Sequence, residues 1–346
     1  MQKQIHGGDI YSASYRVDFS SNINPFGMPE SVIKAVQEGV KDAIHYPDVQ
    51  YRELRRAISE AEGINQDWII CGNGAAEIIF ALALAKNPKT GLLTAPGFAE
   101  YEQALRTVDC QITFYECKKE EGYTVGEDYL EYLDENPGIA FLCNPNNPTG
   151  LLVEGDLLDR IIEKCHQKNI LLVLDECFLN FVEEQERLSK KIHINRAPNL
   201  FILKAFTKMY GMPGLRLGYG MCSDKSFLDK MRSVMQPWNV SIPAQCAGIA
   251  ALREKKFVEK TREYVTGERA YMTAELAKFG FEVYDSSANY IFFRGPEDLY
   301  DVCRSEGLIV RDCSNYRGLG KGYYRIAIKL REENDELLAT LKKHYK

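Results

Sequence analysis

The stretch NILLVLDE, residues 169–176, is apolar at every position from Ile170 to Leu174 and then turns acidic at Asp175 and Glu176. A strand with one wet face alternates apolar and polar residues, whereas a strand covered on both faces does not. This stretch therefore reads as an inner strand of a sheet layered between helices, with a carboxylate at its end.

Outward from it the same texture repeats. GIAFLCN (138–144) and NLFILKAF (199–206) are equally apolar, and TGLLTAP (90–96) and WIICG (68–72) are shorter versions. Between them lie AAEIIFALALAK (75–86), GFAEYEQALRT (97–107) and EGDLLDRIIEKCHQKN (154–169), which read as helices. Strands alternating with helices predict an α/β fold with a mostly parallel sheet. Ahead of this block, PESVIKAVQEGVKDAI (29–44) reads as an amphipathic helix with Pro29 near its first turn, and a second helix is expected at 51–62. Beyond residue 224, helices are expected near 224–234, 242–254 and 256–279. Short strands FEVY, NYIFFR, GLIVR and YYRIAIK follow, then a last helix at 331–345. The expected organisation is an N-terminal arm and helix over 1–40, a large domain over 41–223 and a smaller α+β domain over 224–346.

Composition narrows the function. A chain of 346 residues, 45% hydrophobic and 27% charged, is of ordinary globular type. Its net charge of -6 and scattered basic residues argue against a nucleic-acid partner. That, and the lack of room for a helix-turn-helix, argue against a DNA-binding regulator. No run is long enough for a membrane span, and MQKQIHGGDIYSAS lacks the apolar core of a signal peptide, so a cytoplasmic protein is expected. The 10 cysteines are spaced singly, with Cys71, Cys143 and Cys177 read as lying in strands. They are expected to be small buried hydrophobes in a reducing compartment, and no metal site is expected.

In such a sheet, ligands bind beyond the carboxyl ends of the strands. There the sequence collects GNGAAE (72–77), NPNNPTG (144–150), Asp175, Thr207 with Lys208, and Arg216 in GLRLGY. Each alone has an ordinary reading as a turn, a loop, a cap or a surface cation. In this order, on the ends of one sheet, they describe a holder for an aromatic, phosphorylated, electrophilic cofactor. A lysine with a lowered pKa can form a Schiff base. A carboxylate can pair with a protonated ring nitrogen, and an asparagine can donate to a ring oxygen. A glycine turn opening a helix, with an arginine, can hold a phosphate. Pyridoxal 5′-phosphate meets every one of these requirements.

The order GNG, NNPTG, DE, TK, GLRLG, across about 70–220 and on toward both ends, resembles the fold-type-I pyridoxal-phosphate enzymes of the aspartate-aminotransferase superfamily. The resemblance implies that Lys208 carries the Schiff base, Asp175 faces the pyridinium nitrogen and Asn147 donates to the cofactor O3′. It implies that Arg216, Thr207 and the turn at Gly74, Ala75 and Ala76 hold the phosphate, and that Phe98 covers the ring. Tyr46, in HYPD, would reach the cofactor phosphate of a neighbouring subunit, which makes a homodimer the expected assembly. Arg325, in YYRIAIK, would bind the substrate carboxylate through a bidentate fork. Two positions depart from the common pattern. Phe178 stands where many relatives have a tyrosine that also donates to O3′, and Ala205 stands where many have a serine of the phosphate cup.

The N-terminal HGGDIY (6–11) precedes DFSSNINPFGMP and HYPD, and the C-terminal part has GLIVRDCSNYRGL before YYRIAIK. This combination resembles the threonine-phosphate decarboxylases of cobalamin biosynthesis, in which DE-x-F is typical and the chain begins with a His-Gly-Gly arm. The histidinol-phosphate aminotransferases share the core motifs without the arm. The implied reaction is decarboxylation of L-threonine O-3-phosphate to (R)-1-aminopropan-2-yl phosphate. His6, Gly7 and Gly8 would fold over the site, His6 and Arg311 would grip the phosphate, and Asn22 and Asn147 would help place the substrate. Amino transfer from histidinol phosphate is the alternative. Serine phosphate is a further candidate substrate, since one methyl group is worth only ~1–3 kcal/mol.

Overall fold

The computed structural model describes residues 7–11 and 14–345. In chain order the first elements are β1 (Val17–Asp18), α1 (Glu30–Lys41), α2 (Arg52–Glu62), β2 (Ile69–Gly72), α3 (Gly74–Lys86) and β3 (Thr90–Ala95). Next come α4 (Ala99–Arg106), β4 (Gln111–Glu116), α5 (Tyr129–Asp134), β5 (Ile139–Cys143), α6 (Gly155–Gln167), β6 (Leu171–Asp175) and α7 (Gln185–Leu188). β7 (Leu200–Ala205), β8 (Gly218–Met221), α8 (Lys225–Val234), α9 (Ile242–Ala251) and α10 (Lys255–Lys278) follow. The chain ends with β9 (Glu282–Val283), β10 (Tyr290–Arg294), α11 (Leu299–Ser305), β11 (Leu308–Ile309), β12 (Arg311–Asp312), β13 (Tyr323–Ala327) and α12 (Arg331–Tyr345).

The central sheet has 7 strands in the order β2-β8-β7-β6-β5-β3-β4. β3 to β7 are parallel, and β8 runs antiparallel between β2 and β7. Every residue of β5, β6 and β7 is buried, as the unbroken apolar runs require. Their side chains alternate between two cores, so that Leu172 and Leu174 meet one and Leu171 and Val173 the other. α3 is apolar around its whole circumference because it is covered on several sides, by α4, α8 and β8. Two strands of this sheet escape the sequence reading. β4 is an edge strand whose polar, half-exposed residues lack a buried run, and β8 is a short glycine-rich return strand.

The second sheet is antiparallel, in the order β12-β13-β10-β9. GLIVR, expected as one strand, breaks at Val310. Its first half, β11, pairs in parallel with β1, and its second half, β12, joins β13. The segment after β1 is stitched into both neighbours, because Phe19 donates to Ile309 O at 2.7 Å and accepts from Ala327 N at 2.8 Å. α1 begins at Pro29 and packs on α9. All 10 cysteines are free, and Cys177 lies past the end of β6 and not within a strand. Among the described residues no helix is long and apolar enough to cross a membrane.

Candidate active site

The strand order places the expected groups along one edge of the central sheet. Gly72, Asp175 and Ala205 end β2, β6 and β7, and β8 starts beside them, since Gly218 faces Gly72 on one side and Ala205 on the other. Lys208 and Arg216 are thus carried on the loop that leaves β7 and returns as β8.

Asp175 is buried, with both oxygens engaged. Tyr101 Oη donates to Oδ2 at 2.5 Å and the Cys177 amide donates to Oδ1 at 2.9 Å. Burial pushes its carboxyl above the usual range, against the pull of those two donors. A ligand cation beside it would relieve that cost. Tyr101 was not foreseen, although it stands three residues after Phe98, one helical turn away, and packs edge-on against that ring at 5.5 Å.

Lys208 lies over the Phe178 ring at 6.0 Å from its centroid. Burial, with the nearby charges of Arg325 and Arg216, brings its amine down to about 8. Far more of this lysine than of an ordinary one is therefore neutral and nucleophilic near neutral pH, though most still carries a proton there.

The phosphate cradle is defined by close approaches. Gly74 opens α3 with φ at +79°, and a Cβ there would lie 2.4 Å from Arg216 Nη2. A Cβ on Gly218 would lie 2.5 Å from the Ala75 amide nitrogen. Arg216 itself takes a left-handed backbone, φ 54°, that turns it back over this turn. The first turn of α3, with Gly74, Ala75 and Ala76, thus lies against Arg216, an arrangement that could hold an anion through backbone amides, helix dipole and guanidinium. Thr207 is buried between this cradle and Lys208 in sequence. Lys204 does not replace the hydroxyl missing at Ala205, because it points to the opposite face of β7. There it pairs with Glu62 at 2.9 Å. Burial opposes the charge of Glu62, yet Lys204 and Lys191 hold its carboxyl down to about 2.

On the substrate side, Arg325 (5% exposed) and Arg311 (7% exposed) are directly opposite each other on β13 and β12. Arg325 Nη1 donates to Asn147 Oδ1 at 2.5 Å and Nη2 to Ser20 O at 2.7 Å. A guanidinium only donates, so the Asn147 amide oxygen must face Arg325 and its NH2 is left for another acceptor. Arg311 donates to Asn315 Oδ1 at 2.9 Å and lies over the Tyr316 ring at 5.1 Å. Arg325 Nε and Asn22 Oδ1 are buried with no protein partner. Buried polar atoms are almost always satisfied, so a polar ligand or water is expected beside these two. Tyr290 closes one wall, donating to Asn146 O at 2.6 Å and meeting Phe178 edge-on at 5.0 Å.

The remaining expected residues are placed as follows. Gly7 and Gly8 lie against Ser20. His6 lies outside the described residues. Tyr46 is 79% exposed and stacks on Trp238 at 4.6 Å, away from the groups above in this single chain. The whole arrangement fits pyridoxal phosphate on this chain's own features. It has a depressed amine, a buried carboxylate short of a cation, an amide turned outward and a cradle a side chain at Gly74 would fill.

Comparison with known proteins agrees with that chemistry. The family described as "Aminotransferase class I and II" matches residues 16–341. The threonine-phosphate decarboxylase of Salmonella typhimurium is 36% identical over 349 residues, covering 97% of this chain and 95% of that protein. The crystal structure of the histidinol-phosphate aminotransferase from Clostridium acetobutylicum superposes with TM-score 0.89 at 31% identity, over 95% of this chain and 98% of that one. That of L-threonine-O-3-phosphate decarboxylase from Porphyromonas gingivalis gives 0.83 at 26% identity, over 95% and 99%.

Proposed function

The chain belongs to the class I and II aminotransferase family and is a pyridoxal-phosphate-dependent enzyme, and on that premise we propose that it decarboxylates L-threonine O-3-phosphate. The observation that carries the substrate class is the facing pair Arg311 and Arg325. Two buried cations side by side call for a ligand with two anions, and a phosphorylated amino acid has them. Arg325 would take the carboxylate through its partnerless Nε edge, and Arg311 the phosphate. Asn22 would accept from the substrate. The arm of Gly7 and Gly8, with His6, favours the decarboxylase over its aminotransferase cousins.

Bound here, pyridoxal phosphate would accept the electron pair of the bond that breaks at the substrate Cα. The protein's part is to choose that bond. Anchoring both anions, the phosphate at Arg311 and the carboxylate at Arg325, would fix the substrate's rotation and so decide which bond at Cα is presented for cleavage. Tyr290 and Phe178 wall the site against water. Asp175 would hold the ring-nitrogen proton, and the NH2 of Asn147 would donate to the phenolic oxygen. Once CO2 has left, the pair at Cα needs one proton. The Lys208 amine, with its proton affinity lowered to about 8, would deliver it, giving aminopropan-2-yl phosphate. The homodimer is part of this reading, since exposed Tyr46 would complete a partner's cradle.

A second reading, amino transfer from histidinol phosphate, is favoured by the match to the Clostridium structure. Two incubations decide between them. Holoenzyme with L-threonine O-3-phosphate and no keto acid should release CO2 steadily. Glutamate formed from histidinol phosphate and 2-oxoglutarate, with no CO2 in the first tube, would overturn the decarboxylase.

A further inference from the structure

Ser20 touches both the glycine arm and the carboxylate arginine. A Cβ on Gly7 would fall 2.2 Å from Ser20 O, so the arm lies directly on that carbonyl. One residue on, the Gly8 amide donates to Ser20 Oγ at 2.7 Å, with φ at +85°. The Ser20 hydroxyl gives its single proton to Asp18 Oδ1 at 2.6 Å, and its amide donates to the same oxygen at 2.8 Å. With its proton committed, Oγ can only accept from Gly8, and the rotor is fixed. The carbonyl that Gly7 covers is the one that accepts from Arg325 Nη2.

Ser20 also sits where it can transmit force. Phe19, beside it, is bonded to Ile309, two residues before Arg311, and to Ala327, two residues after Arg325. The Arg325 plane is held at two points, Asn147 Oδ1 and Ser20 O, and its Nε edge is what remains for a substrate carboxylate. A planar fork pinned at two points has one orientation. Shifting one pin turns the Nε edge away from its acceptor, and a charge-assisted bidentate contact is sensitive to such a turn.

We propose that Ser20 is a positioning residue that couples docking of the N-terminal arm to the aim of Arg325, so that the arm sets the grip on the substrate carboxylate as well as covering the site. This rests on the reading of Arg325 as the carboxylate anchor. The arm's glycines are then required twice, at Gly7 for close approach to the carbonyl and at Gly8 for a left-handed turn that presents its amide to Oγ.

The test uses holoenzyme and two partial ligands, with binding followed by cofactor absorbance. 2-Aminoisobutyrate has the carboxylate and no phosphate; 1-aminopropan-2-yl phosphate has the phosphate and no carboxylate. Ser20→Ala keeps the carbonyl and removes the acceptor for Gly8. It should weaken the carboxylate ligand about tenfold and the phosphate ligand less than about twofold, the loss expected for one hydrogen bond in a coupled network. Ser20→Thr should restore binding. Gly7→Ala, which alters only the arm, should show the same selectivity. Equal weakening of both ligands, or of neither, would overturn the coupling. Arg325→Lys separates the premise from the inference. If it too leaves the carboxylate ligand unaffected, the carboxylate reading and the coupling both fall. If it is selective while Ser20→Ala is not, only the coupling falls.

Discussion

Arg311 and Arg325 face each other across two antiparallel strands, each more than nine-tenths buried, and among the described residues no carboxylate side chain is bonded to either. Like charges directly opposite on a sheet repel, so this pair costs stability until anions arrive. Arg311→Gln should therefore leave the ligand-free protein as stable as the parent or up to about 1 kcal/mol more stable. The same variant should raise KM for the phosphorylated substrate by about a hundredfold, in line with losing a buried charged contact. Calorimetry and steady-state kinetics on one preparation check both halves, and a marked drop in melting temperature would show that Arg311 holds the fold.

The lowered amine of Lys208 has a readable pH signature. Below about 8 most of it is protonated and cannot attack an aldehyde. Covalent loading of the apoprotein, trapped by borohydride, should speed up as pH rises with a midpoint near 8. Arg325→Gln removes a neighbouring positive charge and should move that midpoint upward. Stability follows the same group: from about 8 to the unfolded value of 10.5 the unfolded chain keeps a proton that the native lysine has lost. Unfolding free energy of the apoprotein should rise with pH in that window, and less so in Lys208→Met.

Much of the site could be read before any coordinates, because it is built from residues at strand ends and strand ends are marked by unbroken apolar runs. Asp175, Asn147 and Lys208 were proposed that way, and Arg216 from its place on the same loop after the lysine. Tyr101 and Ser20 were not. Tyr101 acts through a hydrogen bond to a residue 74 positions away, and Ser20 acts largely through its backbone carbonyl, which no side chain advertises. Lys204 stayed ambiguous because its meaning depends on which face of β7 it occupies, and a strand buried on both faces gives no alternation to tell. β4 was missed for the reverse reason: as an edge strand its apolar Ile112 and Phe114 alternate with polar residues, and it has no unbroken apolar run to mark it.

Phe178→Tyr tests the departure at that position. The ring sits beside Lys208 and edge-on to Tyr290. A hydroxyl there would donate to the cofactor's phenolic oxygen and favour its deprotonated form. The absorbance titration of the holoenzyme should move down by about one pH unit, the equivalent of one hydrogen bond to a charged acceptor. An unmoved titration would place the ring's para edge away from O3′.

Gly218→Ala puts a methyl group 2.5 Å from the Ala75 amide nitrogen, which is backbone and cannot turn aside. The cradle must open, and cofactor affinity should fall at least about tenfold, a cost of at least ~1.4 kcal/mol. The same enzyme saturated with cofactor should keep its KM for substrate, since Arg311 and Arg325 lie on the other sheet. Dialysis followed by fluorescence titration with pyridoxal phosphate measures the loss.

Tyr46 offers a test of shared sites. Tyr46→Ala and Lys208→Ala should each be nearly inactive. Mixed and allowed to exchange subunits, they should recover about a quarter of the parent activity, because hybrids carry one site with both residues intact. Failure to recover, with exchange shown by mass spectrometry, would confine Tyr46 to its own chain.

The return of β8 beside β7 has a mechanical consequence. The residues proposed to bind the cofactor ring, its phosphate and its aldehyde all hang from one sheet, and Lys208 and Arg216 share a single loop. The two substrate arginines hang from another. If the sheets tilt against each other, the pocket can swallow and expel small molecules while its prosthetic tool stays seated. Asn147, bonded to Arg325 and expected at the ring, is a side chain that would feel both movements, as is Tyr290, which bonds Asn146 O and packs on Phe178. Changes on β12 and β13 would thus alter the grip on the substrate's anions while the residues carried by the first sheet stay in place.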